Sequence, residues 1–145
     1  MIDKTEKVRP FFAYKVFLRD NDKLLITHDI FGDWDLPGGR VQLGEFGGTQ
    51  REVIARKLRE ELGDDVCYKV GEFQTIFQVR RHEHNLDQEV QIVALGYAAT
   101  YLGGVIRLGD HHDRMEWVDV TTFKPEDYFT GGWLLGVQNY LENQR

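Results

Sequence analysis

One helix near the middle of the chain constrains the fold more than any other segment. Thr49 followed three residues later by Glu52 is a capping-box pattern, which places the start of the helix at Thr49. Gly63 provides a natural C-terminal stop. Between these ends an apolar side chain recurs every four residues, at Ile54, Leu58 and Leu62. The sequence therefore predicts an amphipathic helix whose apolar stripe packs onto a sheet.

Segments typical of β-strands lie on both sides of this helix. Aromatic and β-branched residues or alternating patterns predict strands at 11–18, 23–28, 73–79, 89–100 and 114–119. The fourth of these is apolar on nearly both faces from Val90 to Leu95, which indicates a central buried strand. Residues 132–143 have apolar positions at near-helical intervals and predict a closing helix. This order predicts an α/β (α+β) fold, with a mixed sheet covered by helices on its faces.

The segments between these elements predict loops. Pro37 forces the preceding residue into an extended conformation, and residues 32–39 around it are loop-like. Gly103 and Gly104 mark a turn, and the run RRHEHNLDQE at 80–89 is expected to be a polar connection.

Composition limits the classes of protein that the chain can represent. Its 145 residues are most economically one domain spanning 1–145. The single Cys67 excludes an internal disulfide framework and a Cys-based zinc cluster, and favours a cytoplasmic location. The first ten residues contain no apolar region of the kind found in a secretory signal peptide. No run of the sequence approaches the roughly 18 apolar residues that a membrane-spanning helix needs. The net charge of -6 argues against general nucleic-acid binding, but a metal could still recruit a polyanionic small molecule.

The helix carries an acidic edge beside its apolar stripe. At about 100° per residue, Lys57, Glu60 and Glu61 project together. One interpretation is a solvated surface with Lys57–Glu61 and Arg56–Glu60 ion pairs, each contributing tenths of a kcal/mol. The glycine pair at 38–39 favours a functional interpretation, because glycine lets the backbone approach a ligand closely. Carboxylate and carbonyl oxygens suit Mg²⁺ or Mn²⁺ together with phosphate oxygens.

These residues resemble a known motif. Gly39, five intervening residues, Glu45 and the run RKLREELG at 56–63 resemble the Nudix box of the Nudix (MutT-like) hydrolases, G-x5-E-x7-R-E-U-x-E-E-x-G-U, where U is a bulky aliphatic residue. The lead-in WDLPGG at 34–39 and the segment HDRMEWVDV at 112–120 are also typical of the family. The resemblance implies a Nudix-type α/β/α sandwich and hydrolysis of a nucleoside diphosphate linked to another moiety. It also implies a divalent metal, Mg²⁺ or Mn²⁺, with a homodimer as one expected assembly.

The resemblance assigns roles to individual positions. Glu60 and Glu61 match the paired metal-site glutamates, and Gly39 matches the glycine whose carbonyl can help to hold the metal. Arg56 matches the arginine that usually orients a carboxylate. Glu45 matches the first glutamate, which is supporting or metal-linked. The predicted catalytic residues are Glu45, Arg56, Glu60 and Glu61, and the predicted metal ligands are Gly39, Glu45, Glu60 and Glu61.

The chain departs from the motif in three ways. Ten residues rather than seven separate Glu45 from Arg56, which the position of the capping box explains as a three-residue loop insertion at 46–48. Asp64 replaces the final aliphatic residue, with an expected effect on local packing only. Lys57 stands where the family carries a glutamate that is often a metal ligand.

Lys57 leaves several outcomes open. The site can bind fewer metals, with the ammonium contacting Glu61 or a substrate phosphate; another carboxylate can substitute; or the domain can bind a nucleotide without cleaving it. Glu52 is a poor substitute because it lies on a different helix face. We favour atypical hydrolase activity, with a non-catalytic nucleotide-binding or regulatory domain as the alternative. A further alternative is a GDP-mannose-type glycosyl hydrolase, a branch that also reads PGGRVQ where this chain has residues 37–42.

Other polar residues are weaker candidates. A further acid or base could come from Glu83, Asp87 or Glu89, although a solvated connection is the better interpretation of that segment. Histidines that could ligate a metal or act as a base are His82, His84, His111 and His112. Arg80 and Arg81 could bind phosphate.

Overall fold

The computed structural model describes residues 4–83 and 85–144. Its strands are β1 (Phe11–Asp20), β2 (Lys23–Asp29), β3 (Trp34–Asp35), β4 (Gly38–Arg40), β5 (Cys67–Glu83), β6 (Gln88–Gly103) and β7 (His112–Asp119). The helices are α1 (Gln50–Leu62) and α2 (Gly131–Asn143), with short 3₁₀ turns at Leu43–Glu45 and Pro125–Asp127.

The strands form one mixed sheet, as the sequence predicted. Its main path runs β3-β2-β1-β6-β5, with β4 paired to β1 and β7 paired to β2. β1 runs parallel to β6, from Phe11 opposite Ile92 to Arg19 opposite Thr100, whereas the other pairs are antiparallel. The predicted central strand is confirmed, because β6 lies between β1 and β5.

The two helices cover opposite faces of the sheet. Residues alternate between the faces of a strand, and in β1 Phe17 belongs to one apolar cluster while Val16 and Leu18 belong to the other. The first cluster includes Val137, Tyr140 and Leu141 of α2, and the second includes Ile54, Leu58 and Leu62 of α1. The α/β/α sandwich and the apolar stripe of the central helix are therefore confirmed.

The ends of α1 follow from its sequence. The Thr49 hydroxyl accepts a hydrogen bond from the Glu52 amide at 3.3 Å, which satisfies one of the free N–H groups at the start of the helix. At the other end Gly63 has φ +92° and its amide donates to the Arg59 carbonyl. The sequence-based boundaries of this helix are confirmed.

Some strand and loop boundaries differ from the sequence-based predictions. Residues 80–83, predicted as part of a polar connection, continue β5 as a strand, because every second residue faces solvent and pairing with β6 satisfies the backbone. The short strand β3 lies within the predicted loop at 32–39, and the short strand β4 begins in it and ends at Arg40. Within the described residues no helix is long and apolar enough to cross a membrane.

Candidate active site

The glycine pair lies where β4, β1 and α1 meet. Gly38 has φ +130°, and a Cβ built on it would lie 2.0 Å from the Tyr14 carbonyl oxygen of β1. Glycine is therefore required here, both by the left-handed backbone and by the close approach of β1. The Gly38 amide donates a hydrogen bond of 2.9 Å to Glu61 Oε1. The glycine thus connects the loop before the helix to a carboxylate on the helix.

Glu61 is a buried acid at the base of this junction. Only 8% of the residue is exposed, and it faces the sheet beside the apolar stripe of α1. Burial raises its pKa from 4.5 to about 7, against the opposing charge of Lys15. Near neutral pH this carboxyl group therefore exists in both protonation states, which is uncommon for a glutamate.

Lys57 approaches both acidic side chains from the same helix. Its Nζ lies 3.4 Å from Glu60 Oε2 and 3.9 Å from Glu61 Oε2. A Cβ built on Gly39 would lie 2.2 Å from Lys57 Cε, so the lysine stem fills the space that any larger residue would take. The Lys57–Glu61 pair predicted from helical spacing is confirmed. The second glycine thus provides room for the lysine.

Arg56 organises the outer part of the acidic cluster. Its guanidinium forms two hydrogen bonds with Glu45, of 2.5 Å from Nε and 2.8 Å from Nη2, and a third of 3.1 Å with Glu60. The Arg56 hydrogen bond holds the pKa of Glu45 below its usual value. Partial burial acts to raise the pKa of Glu60, but Arg56 and Lys57 together outweigh burial and lower it. Both Glu45 and Glu60 are therefore anionic at neutral pH.

A buried lysine and an aspartate, which sequence reasoning missed, lie behind Glu61. Lys15 is 5% exposed and its Nζ lies 3.0 Å from Asp35 Oδ1. The same ammonium donates to the carbonyl oxygens of Leu36 and Gly38. The available signal was one lysine inside the otherwise apolar strand sequence FFAYKVFL. An isolated charge at such a position needs a partner, because an unpaired buried ammonium is costly.

His112, at the start of β7, is one of the histidines that the sequence offered as a possible metal ligand or base. It is 8% exposed, and its Nε2 lies 3.9 Å from Glu61 Oε2. Burial lowers the pKa of His112, so the ring is neutral at pH 7. Among the described residues its buried Nδ1 has no hydrogen-bond partner.

These groups, except Glu45, line a cleft of about 770 Å³. Its lysine and arginine wall residues are Lys15, Arg40, Arg56, Lys57, Arg80 and Arg81, and its aromatic wall residues are Phe31, Trp34, Tyr128, Phe129 and Trp133. A cleft with this lining can attract phosphates through its cations and contact a flat ring through its aromatic faces. The acidic pair Glu60 and Glu61 lies in the same cleft.

The predicted site residues are not all equivalent in this geometry. Gly39, Arg56, Glu60 and Glu61 line the cleft together. Glu45 lies behind Arg56, with both carboxylate oxygens held by the guanidinium. The assignment of metal-binding and catalytic roles to these five residues stays a prediction.

The other candidates lie in several different places. Glu83 lines the cleft but is paired with Arg40, at 2.9 and 3.2 Å. Asp87 is almost fully exposed and pairs with His82, and Glu89 is exposed. His84 lies outside the described residues. Arg80, Arg81 and His111 line the cleft.

The donor set fits a divalent ion only in part. Across residues 4–83 and 85–144, no three His, Cys, Asp or Glu side chains are arranged so that they could hold a metal by themselves. Glu60 and Glu61 offer two carboxylates, and Mg²⁺ is commonly held by one or two carboxylates together with substrate phosphates. The residues therefore fit an ion that shares its coordination with a bound phosphate.

Comparison with known proteins agrees with this fold. The family model described as "NUDIX domain" matches residues 10–133. Curated proteins from two strains of Mycobacterium tuberculosis, each named "Putative 8-oxo-dGTP diphosphatase 2", are 31% identical over 116 residues, covering 78% of this chain and 74% of theirs. The crystal structure of the MutT protein from Methanosarcina mazei Go1 matches with a TM-score of 0.76 and 16% identity, covering 97% of this chain and 99% of that one.

A further solved structure shows the same fold. The ADP-ribose pyrophosphatase from Streptococcus suis matches with a TM-score of 0.66 and 16% identity, covering 94% of this chain and 93% of that one. The fold and the family match together define a hydrolase that acts on nucleoside diphosphate derivatives. The chain belongs to the Nudix family, whose members generally use divalent metals.

Proposed function

We propose that this chain cleaves the diphosphate linkage of a nucleoside diphosphate joined to a second moiety, with the help of Mg²⁺ or Mn²⁺. The observation that carries this proposal is the position of Glu61. Its carboxyl group is buried in the cleft, has a pKa of about 7, and lies beside Glu60 and several basic side chains. Such a group is suited to metal binding or proton transfer near neutral pH.

Different residues of the cleft would bind the phosphates, the nucleobase and the divalent ion. Arg80 and Arg81 line the wall where phosphate oxygens can be paired, and Phe31, which is 56% exposed and lines the same cleft, can contact a nucleobase. Glu60 and Glu61 would hold the divalent ion, and Gly39 would add a backbone oxygen. Such an ion neutralises phosphate charge and lowers the pKa of a bound water.

Arg56, which lines the cleft, and Glu45, which lies behind it, complete the proposed arrangement. The two-pronged Arg56–Glu45 pair fixes the guanidinium, which in turn contacts Glu60 at 3.1 Å. Since a fixed guanidinium limits the rotamers of Glu60, the carboxylate is oriented before an ion or a substrate enters.

The test is a substrate panel with Mg²⁺ and with Mn²⁺, in which products are identified by mass. The panel includes nucleoside triphosphates, ADP-sugars, UDP-sugars, GDP-mannose and 8-oxo-dGTP, the last because of the name of the M. tuberculosis relatives. In ¹⁸O-labelled water, cleavage of the diphosphate places the label on a phosphate. Label on the free sugar would instead support the glycosyl hydrolase alternative.

Two variants assign the activity to the site. Glu61→Gln removes the charge of the buried carboxylate and is expected to abolish metal-dependent turnover while the protein remains folded. Glu72→Gln is the matched control, because Glu72 is exposed on β5 and outside the cleft lining. Activity unchanged by Glu61→Gln would contradict the assignment. Thermal stabilisation by nucleotides without turnover would favour the non-catalytic alternative.

We also propose a cytoplasmic location and a homodimer. The first is supported by the single, unpaired Cys67. The second is supported by exposed aromatic side chains outside the core, among them Phe12 and Phe46, whose ring centroids lie 6.3 Å apart. Sedimentation equilibrium of the wild type and Phe46→Ser would show whether this surface joins two copies.

A further inference from the structure

Lys57 occupies the space between the acidic pair and the glycine pair. Its Nζ contacts Glu60 at 3.4 Å and Glu61 at 3.9 Å, and its stem packs against Gly39. Only 23% of its side chain is exposed. The ammonium therefore already supplies a positive charge to the two carboxylates that are the proposed ligands of the divalent ion.

An ion that binds these carboxylates must compete with the ammonium. Lys57 approaches Oε2 of Glu60 and Oε2 of Glu61, and His112 Nε2 also lies 3.9 Å from the latter oxygen. Glu60 Oε1 is bonded to Arg56, and Glu61 Oε1 accepts from the Gly38 amide. A cation entering the cleft would thus share the same two oxygens with Lys57, and the two positive charges would repel each other.

The ammonium can also serve a bound diphosphate. It carries three N–H donors, and its ion pairs with Glu60 and Glu61 leave at least one of them available. Lys57 lines the same cleft as Arg80 and Arg81. A phosphate held between these cations would receive charge-assisted hydrogen bonds from the protein itself.

We propose that Lys57 is a built-in cation of the diphosphate site. Its ammonium neutralises Glu60 and Glu61, the residues that would hold a divalent ion, in the free protein, and it donates directly to a diphosphate oxygen in the complex. Two consequences follow: the free protein binds divalent ions weakly, and it holds a diphosphate in the absence of metal. This inference depends on the proposed function only for the substrate class.

The experiment measures binding rather than turnover. Mn²⁺ affinity is followed by electron paramagnetic resonance, and metal-free diphosphate affinity is followed by calorimetry in EDTA. The diphosphate probe is methylenediphosphonate, whose P–C–P bridge resists hydrolysis and requires no choice of nucleobase. The variants are Lys57→Met and Lys57→Gln, which remove the charge, and Lys57→Glu, which reverses it. The control is Arg59→Met, which removes one positive charge from a 66% exposed side chain on the same helix.

Opposite changes are expected in the two affinities. Lys57→Met and Lys57→Gln should bind Mn²⁺ about 10-fold more tightly than the wild type and metal-free methylenediphosphonate about 10-fold more weakly. Lys57→Glu should show the larger gain in Mn²⁺ affinity, and Arg59→Met should match the wild type. Unchanged Mn²⁺ affinity in Lys57→Met and Lys57→Gln would overturn the inference, as would a wild type that does not bind the probe without metal.

Failure of this inference differs from failure of the proposed function. If the wild type cleaves no diphosphate on the substrate panel, the proposed function fails, while the Mn²⁺ titrations still measure the role of Lys57. If the wild type cleaves a diphosphate but the Lys57 variants bind Mn²⁺ and the probe as the wild type does, only the role of Lys57 fails.

Discussion

The Gly38 amide and the Glu61 carboxylate are joined by a hydrogen bond of 2.9 Å across the junction of β4 and α1. This bond aims a buried acid into the cleft, but one amide donor does not offset the loss of solvent around the carboxylate. The net effect is a pKa of about 7 for Glu61. Its consequences can be measured in the free protein, without a substrate.

The first prediction concerns the pH dependence of stability in EDTA. The folded protein retains a proton on Glu61 up to about pH 7, whereas the unfolded chain releases it near 4.5. The native state therefore binds more protons in this window, and the free energy of unfolding falls as pH rises from about 4.5 to 7. Above pH 7 the Glu61 contribution is lost, a change on the order of 3 kcal/mol at about 1.4 kcal/mol per pKa unit.

Urea unfolding from pH 4.5 to 8 tests this prediction. Glu61→Gln, which is neutral throughout, should show a smaller decline than the wild type and should be the more stable protein at pH 8. Glu60→Gln is the control, because the pKa of Glu60 is lowered rather than raised. Parallel pH profiles for the wild type and Glu61→Gln would contradict a raised Glu61 pKa.

The second prediction separates the two glycines. Gly38→Ala should destabilise the protein by about 3 kcal/mol or more, since the new Cβ would meet the Tyr14 carbonyl oxygen at 2.0 Å in a backbone with φ +130°. Gly39→Ala should cost far less, because the three atoms nearest to the new Cβ all belong to the movable end of Lys57. Chemical denaturation measures both. Equal losses of unfolding free energy in the two variants would contradict the prediction, because they would show that the Lys57 side chain does not move aside for the new Cβ.

The third prediction concerns the Arg56–Glu45 pair. Both side chains are about one-fifth exposed and joined by two hydrogen bonds, so a double-mutant cycle with Arg56→Ala and Glu45→Ala should give a coupling of about 1 kcal/mol. Arg56→Lys should not restore the coupling, because an ammonium cannot form the two-pronged contact. The exposed Arg59–Asp64 pair, at 3.7 Å, is a matched control with an expected coupling near zero. A similar coupling for both pairs would contradict the ordering role given to Arg56.

The sequence was sufficient for the features that depend on local pattern. Helix α1 was predicted with its ends because Thr49 and Gly63 act within one turn of the backbone. The acidic pair and Lys57 could be grouped because helical spacing fixes their relative directions. The approach of Lys57 to Gly39 was not predictable, since it depends on how the loop before the helix returns across α1.

Features that depend on strand register were largely missed. Lys15 and Asp35 are 20 residues apart and meet only because β1 is next to β4 and near β3 in the folded sheet. His112 contacts Glu61 because β7 pairs with β2, a long-range relation that no local pattern encodes. The strand character of residues 80–83 was hidden by their charge, because charged residues on an exposed strand resemble those of a loop.

The fourth prediction uses these long-range neighbours to shift the Glu61 pKa in opposite directions. The charge of Lys15 lowers that pKa, and the charge of Asp35 raises it. Lys15→Met should therefore raise the Glu61 pKa above about 7, and Asp35→Asn should lower it. Carbon-13 NMR of the Glu61 side-chain carboxyl, titrated in EDTA, measures each value directly, with Glu61→Gln identifying the resonance.

Stability should change together with these shifts. Lys15→Met leaves Asp35 without its ammonium partner at 3.0 Å and should destabilise the protein by about 3 kcal/mol, whereas Asp35→Asn keeps the shape of the side chain. Lys23→Met is the control, because Lys23 forms an exposed pair with Asp119 and should leave the Glu61 resonance unchanged. If neither Lys15→Met nor Asp35→Asn moves the Glu61 pKa, burial alone sets that pKa. The Lys15–Asp35 pair would then contribute to the stability of the fold and not to the pKa of Glu61.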